Sequence, residues 1–188
     1  FQKNRILSVY YPGYFTYADP TRNQKLQAEF KEIIYQQQQA QYAIGSGQLT
    51  GKGLFKGSFI QSGSVPESQI DMIFSVAGEE LGFLGAVAVI LVIGLIVLRM
   101  IRVSSRTRVF RARLLCFGVA VMIGAQSVIN IGMCIKLLPV IGITLPFFSA
   151  GGSSNLTLYA AIGLAMLVYR RQNEHEDTET YMDYLFAK

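Results

Sequence analysis

Asp71, Glu79 and Glu80 place three carboxylates within ten residues, beside LGFLGAVAVILVIGLIVL (81–98), an unbroken run of 18 apolar or glycine residues. An ionised side chain in hydrocarbon costs roughly 2.5–3.5 kcal/mol even on lenient insertion scales, so acids at the mouth of such a run need a reason. A carboxylate at the boundary between water and lipid can take a proton from a substrate hydroxyl as a general base. Pro66-Glu67 has the composition of a helix start. On that helix Glu67 and Asp71 are spaced i,i+4 and share a face, with Glu79 about 12 Å deeper along the axis than Asp71. Asp71 is thereby expected at the outer interface. Glu79 and Glu80 are expected about two turns inside, structural or lining a polar cavity.

The cations nearest these acids are Lys52 and Lys56, in the loop GSGQLTGKGLFKGSFIQSGSVPES (45–68), which holds six glycines and five serines. Its spacing does not fit a nucleotide-binding P-loop, because Gly45 is one residue too far from Gly51-Lys52 and Gly53 replaces the hydroxyl residue that would hold magnesium. The glycines instead suit a tight loop whose backbone approaches other backbone or a ligand. Lys52 and Lys56 are candidates for holding an anionic headgroup. Ser153 and Ser154, with Asn155, follow Gly-Gly at the start of a helix, where free N–H groups can cap the helix or bind an anion. Gln126 and Asn130 lie four residues apart on one helix face, with Asn130 in turn four residues from Cys134, and polar pairs of that kind hold membrane helices together. His175 is the single histidine and the two cysteines, Cys116 and Cys134, lie too far apart along one helix to bridge. Zinc-type ligand spacing and Ser-His-Asp chemistry are therefore not expected, and the metal question stays open.

The elements that position these groups are helices in a membrane. The chain of 188 residues is 51% apolar and only 15% charged, with mean hydropathy +0.34. A span needs about 20 apolar residues. Leu81–Leu98 meets this, as does Leu114–Ile135, where only Gln126, Ser127 and Asn130 interrupt. Ser153–Tyr169 is shorter and polar at its start. Six arginines crowd the link between the first two runs (99, 102, 106, 108, 111 and 113), and Arg170-Arg171 follow the third. The positive-inside rule puts both clusters in the cytoplasm, and residues 1–70 and the 136–150 turn outside. Read this way, the arginines are a topology signal and no nucleic-acid partner is expected. Upstream, residues 1–20 suit an interfacial segment and Ala18–Tyr42 is helical in pattern. The expected division is an extracytoplasmic loop region over 1–72, a three-helix membrane region over 73–171 and a cytoplasmic tail over 172–188. The chain opens on Phe1 without a signal-like segment and reads like a piece that begins partway through a longer membrane protein.

Three blocks, YQQQQAQYAIGSGQLTGKGL, VPESQIDMIFSVAGEELGFLG and NIGMCIKLLPVIGITLPFFSAGGSSNL, resemble successive blocks of the SEDS proteins (shape, elongation, division and sporulation; the RodA/FtsW/SpoVE type). The likeness spans roughly residues 17–170. It implies an all-α polytopic fold of ten transmembrane helices, of which this chain corresponds to the large extracytoplasmic loop with short helices and the last three spans. It implies a bacterial inner-membrane peptidoglycan glycosyltransferase that polymerises lipid II, an undecaprenyl-linked substrate, into glycan strands, with a class B penicillin-binding transpeptidase as partner. An isolated fragment is expected to be inactive. The family's essential acid, in the string PE-x-x-T-D-F, falls on Asp71, and Glu67 matches the Glu. Departures are Ile70 and Met72 for Thr and Phe, Gln48 for a second Gly, Ala150 for Tyr, and Lys136 and Thr144 for Gly and Pro.

In the chemistry that the resemblance implies, Asp71 is the general base on an acceptor hydroxyl. Lys52, Lys56 or a divalent cation offsets the departing diphosphate, with inversion at the sugar. Two other readings are a flippase for lipid-linked precursors, using Glu79, Glu80, Gln126 and Asn130 as a polar route, and a non-catalytic scaffold for the transpeptidase. Whether the role lies in elongation, division or sporulation is left open by these residues.

Overall fold

A computed structural model describes residues 23–65 and 69–186 of the chain. The interfacial reading of residues 1–20, the side chain of His175 and Glu67 lie outside the described residues. Among the described residues five helices follow one another: α1 (Asn23–Ser46), α2 (Ser58–Gln61), α3 (Ile73–Arg106), α4 (Phe110–Cys134) and α5 (Gly152–Phe186). There is no strand among the described residues. Within α3, α4 and α5, the segments Ile73–Arg106, Phe110–Cys134 and Gly152–Arg171 are long and apolar enough to cross a membrane.

The first unwritten feature is a break in α3. Gly82 has φ 69° and ψ −166°, a region essentially confined to glycine. The part of α3 beyond it, residues 83–106, is about 36 Å long at 1.5 Å per residue, enough by itself for a hydrocarbon core of about 30 Å. Glu79 and Glu80 belong to the segment before the break and need not enter the hydrocarbon. The straight helix expected from Asp71 to Glu79 and into the span is therefore corrected to a short segment, 73–81, followed by a separate span.

Pro66-Glu67 lies outside the described residues, but the helix expected to run from it through Asp71 is not found: residues 69–72 form a turn, and α3 begins at Ile73. The reason is tertiary. Gln69 O accepts from Ala150 N at 2.9 Å and Asp71 O from the Asn130 amide at 2.7 Å. Ser75, which would donate to Asp71 O in a continuing helix, instead donates from both N and Oγ to Met72 O, at 2.9 and 2.6 Å.

The described chain divides into two compact units. One comprises residues up to 91 together with 126–151. In it, α1 buries Ala40 and Ala43 completely, small side chains that allow backbones to approach. Buried Gln37 donates from Nε2 to Met133 O at 3.3 Å and Leu138 O at 2.8 Å, and Gln41 to Ile135 O at 3.0 Å. These amides tie α1 to the end of α4 and the segment that follows it. The other unit, 92–125 with 152 onward, packs Met100 and Val103 of α3, Cys116 and Ala120 of α4 and Ala165 of α5 into one cluster. Its link between α3 and α4 is tied by Ser104 Oγ donating to Arg113 O (2.9 Å) and Arg113 Nε to Thr107 O (3.1 Å). Arg99 lies 5.9 Å from the centre of the Tyr169 ring, a cation–π distance. Both cysteines are free and buried.

Candidate active site

Asp71 occupies the turn 69–72, immediately before α3, and is half-buried. Two elements hold that turn, the segment that ends at Ala150 and α4. Ala150 N donates to Gln69 O at 2.9 Å. From α4, Asn130 Nδ2 donates to Asp71 O at 2.7 Å and also to Ile143 O at 2.7 Å. One turn further along α4, Cys134 Sγ stands 4.0 Å from Asp71 O and 3.7 Å from Met72 Sδ. Met72 is itself almost fully buried, so the residue that replaces the family's Phe anchors the turn from below. Next to Ile143, Gly142 has φ 78°, and a Cβ placed on it would fall 3.2 Å from Asp71 Oδ2. The backbone of 142–143 thus walls one side of the carboxylate.

Asn130 is fully buried, and its Oδ1 has no hydrogen-bond partner among the described residues. A buried acceptor left unsatisfied costs about 1–3 kcal/mol. The side chain keeps its place through the two donors that it delivers.

The second cluster in this unit is built on Glu79, whose side chain is 0% exposed. Lys52 Nζ lies 2.6 Å from Oε1 and also donates to Ser58 Oγ at 2.7 Å. Phe59 N donates to Oε1 at 3.0 Å and Ile60 N to Oε2 at 3.2 Å, with Ser46 and Ser58 hydroxyls at 3.4 and 3.3 Å. The carboxylate gathers the first turn of α2, the end of α1 and the loop between them onto one point. Glu80 is buried beside it.

The same loop splints the break in α3. Glu79 O and Glu80 O, left without helical partners by Gly82, accept from Lys52 N and Gly53 N, each at 3.0 Å. On the other side of the break, Phe83 N and Leu84 N donate to Gln48 O (2.8 Å) and Leu49 O (3.2 Å). Four backbone groups that lipid could not satisfy are paired inside the protein. Such pairing needs close approach: a Cβ on Gly51 would lie 2.1 Å from Glu80 O. Gly47 and Gly51 of the loop serve this contact of backbone with backbone.

The remaining sequence candidates fall as follows. Lys52, expected to project from its loop, is turned onto Glu79, with 28% of its side chain exposed. Lys56 is exposed. Gln126 is half-buried on α4. Ser153 and Ser154 lie in the first turn of α5, in the second unit, where Thr157 Oγ1 donates to Ser153 O at 3.0 Å. No three His, Cys, Asp or Glu side chains converge as a metal site among the described residues.

Sequence reasoning missed the grip of Asn130 on Asp71, the wall at Gly142 and the break at Gly82. The signal available for Gly82 was a glycine directly behind two acids at the head of an apolar run. At Gln48 and Lys136, where SEDS proteins commonly carry glycine, φ is 50° and 63°, the left-handed region that glycine enters without strain.

The family model described as "Cell cycle protein", covering FtsW, RodA and SpoVE, matches residues 12–174. The chain is 39% identical over 145 residues to the probable peptidoglycan glycosyltransferase FtsW of Enterococcus hirae, covering 77% of this chain and 36% of that protein. It is 39% identical over 132 residues to stage V sporulation protein E of Bacillus subtilis, covering 70% of this chain and 36% of the relative. With peptidoglycan glycosyltransferase MrdB of Escherichia coli K12 it shares 35% identity over 131 residues, 70% of this chain and 35% of that one. The chain thus spans little more than a third of the length of these curated relatives. A solved structure, described as "Structural coordination of polymerization and crosslinking by a peptidoglycan synthase complex", matches with TM-score 0.60 and 31% identity over 90% of this chain and 41% of the other. With that match from residue 12 to residue 174 and three helices fit to span a bilayer, the chain belongs to the FtsW/RodA/SpoVE family of bacterial integral membrane proteins, the SEDS family.

Proposed function

We propose that this chain carries the general base of a peptidoglycan glycosyltransferase that extends glycan strands from lipid II at the outer face of the cytoplasmic membrane. What carries the reading is the way Asp71 is held: its main chain is bound by Asn130 at 2.7 Å and its carboxylate stands against the backbone at Gly142. A base gains most when its oxygen is held in place before the substrate arrives. Relatives named peptidoglycan glycosyltransferase support the activity.

In the proposed step the acceptor sugar 4-hydroxyl gives its proton to the Asp71 carboxylate as its oxygen attacks the anomeric carbon of the donor. The new carbon–oxygen bond forms as the bond to the lipid diphosphate breaks, and the diphosphate leaves with the electron pair, inverting the centre. Positive charge near the diphosphate favours that departure. Lys56, exposed on its loop, is a candidate, with Lys52 more committed to Glu79; Ser153 and Ser154 are further candidate substrate contacts. Glu67, Glu79, Glu80 and Gln126 stay outside the proton transfer. The arginine clusters support a cytoplasmic α3–α4 link and C-terminal tail, and with them an outer position for Asp71. The partner is a class B penicillin-binding transpeptidase, in keeping with the synthase complex that the fold resembles.

The test is lipid II polymerisation by the full-length protein, purified with that transpeptidase, comparing wild type with Asp71→Asn. Loss of glycan strands with folding and partner binding intact is the expected result. Normal polymerisation by the variant overturns the reading and moves a scaffold or lipid-transport role ahead of it.

A further inference from the structure

We infer that Asn130 is a positioning residue for Asp71, its buried carboxamide setting where the acid meets the substrate hydroxyl by tying the Asp71 turn to the backbone that walls the carboxylate. The inference rests on Asp71 being the base. Both partners of the amide, Asp71 O and Ile143 O, are carbonyl oxygens at 2.7 Å. Carbonyls only accept, so the amide must present its NH2 group to them and its oxygen must point away. That oxygen meets no donor among the described residues.

An amide serving helix cohesion alone would have its oxygen satisfied as well, and a volume serving packing alone would be apolar. Here one side chain leaves a buried acceptor without a partner and delivers two donors. Both donors lie on one rigid plane, one methylene from α4, so the distance between the two carbonyls they hold is fixed. The first carbonyl belongs to the residue that carries the acid. The second follows Gly142, whose backbone comes so close that a Cβ there would lie 3.2 Å from Asp71 Oδ2. Asn130 therefore sets both the main chain beneath the carboxylate and the surface beside it. It touches neither substrate nor reacting atoms and acts through Asp71.

The experiment uses the full-length protein with its transpeptidase and compares Asn130→Leu, Asn130→Gln and Asn130→Met by kcat and KM for lipid II, thermal midpoint and partner co-purification. Gln and Met have the same length and nearly the same shape, and only Gln keeps an amide NH2. The expected result is a fall in kcat of about 10- to 100-fold in the Leu and Met variants, KM little changed, protein folded and partner-bound, and a clear recovery of kcat in Gln relative to Met. Wild-type kcat in a folded Leu variant overturns the inference. So does equal impairment of Gln and Met in step with lost stability, which marks a purely structural side chain. Should Leu and Met fail to fold, Asn130→Gln decides: lowered kcat at wild-type stability supports positioning, and kcat that only tracks stability ends it. Asp71→Asn run alongside separates the two claims, because an active Asp71→Asn protein sinks the base itself, whereas an inactive one beside a fully active Asn130→Leu sinks only the positioning.

Discussion

Lys52 Nζ and Glu79 Oε1 stand 2.6 Å apart beside the break in α3, 27 residues apart in the chain. The pair joins side chains at the place where the main chains are already joined, because Lys52 N also donates to Glu79 O at 3.0 Å. Glu79 is wholly enclosed and Lys52 partly open, so the two do not contribute alike. Their shared task is to keep the loop 48–57 seated on a helix whose own hydrogen-bond ladder is interrupted around Gly82.

Removing either partner should loosen that seat, unequally. Lys52→Met leaves a buried carboxylate that still accepts from Phe59 N and Ile60 N, and the lysine was already partly solvated. A loss of about 1–2 kcal/mol is expected, below the 3–5 typical of a fully buried pair. Glu79→Ala takes the acceptor from both N–H groups and from the ammonium together, and should cost about 3–5 kcal/mol. Thermal unfolding in detergent, with limited proteolysis of the loop, checks the order. Equal losses would mean that the pair, rather than the carboxylate hub, carries the seat.

Two glycines should be irreplaceable at that seat and a third should not. Gly82→Ala puts a Cβ 2.2 Å from Gly51 N, and Gly51→Ala puts one 2.1 Å from Glu80 O. Both contacts are with backbone that is hydrogen-bonded on each side, so neither relaxes by a rotamer change. Each substitution should cost about 3 kcal/mol or more. At Gly94, later in the same helix, an added Cβ meets nothing within 4 Å. Gly94→Ala should be neutral or stabilising by up to about 1 kcal/mol. Thermal midpoints of the three proteins, measured in one detergent, test the contrast.

What was legible in the sequence was local. The membrane spans are properties of continuous apolar stretches, and the glycine-rich loop announced close backbone approach by composition alone. What was not legible depended on distant partners. The run 81–98 shows no polar residue at which to break, because the groups freed at Gly82 are satisfied from residues 48–53. Pro66-Glu67 has the chemistry of a helix start, yet the carbonyls of Gln69 and Asp71 are claimed by Ala150 and Asn130. The spacing of Gln126, Asn130 and Cys134 revealed a polar face on α4. Which segment that face meets is a tertiary fact that helical periodicity cannot carry.

Two departures from the family pattern should be correctable. Gln48 at φ 50° and Lys136 at φ 63° hold a Cβ in the left-handed region, where a side chain is disfavoured by roughly 1 kcal/mol or slightly more. Gln48→Gly and Lys136→Gly relieve that, partly offset by the greater freedom of glycine in the unfolded chain. A net gain of a few tenths to about 1 kcal/mol each is expected, seen as a raised thermal midpoint. A drop at Gln48 would show that its side chain makes a contribution beyond the hydrogen bond of its carbonyl to Phe83.

Gly142→Ala probes the acid from the wall beside its carboxylate. The new methyl would lie 3.2 Å from Asp71 Oδ2 and the residue keeps a φ of 78°, so either the carboxylate or the 141–143 backbone must give by a few tenths of an ångström. A Cβ at this φ costs roughly 1–2 kcal/mol, but Gly142 is exposed at the end of a segment rather than within a helix core, so the fold should persist at a slightly lowered thermal midpoint. A base displaced by that amount should lower kcat by about tenfold, short of the hundredfold that a full ångström can cost. KM for lipid II and transpeptidase binding should hold. Polymerisation kinetics of the full-length variant decide the matter. A wild-type kcat would mean that the carboxylate works in a position that the wall at Gly142 does not set, and a raised KM with kcat intact would make this face a substrate contact instead.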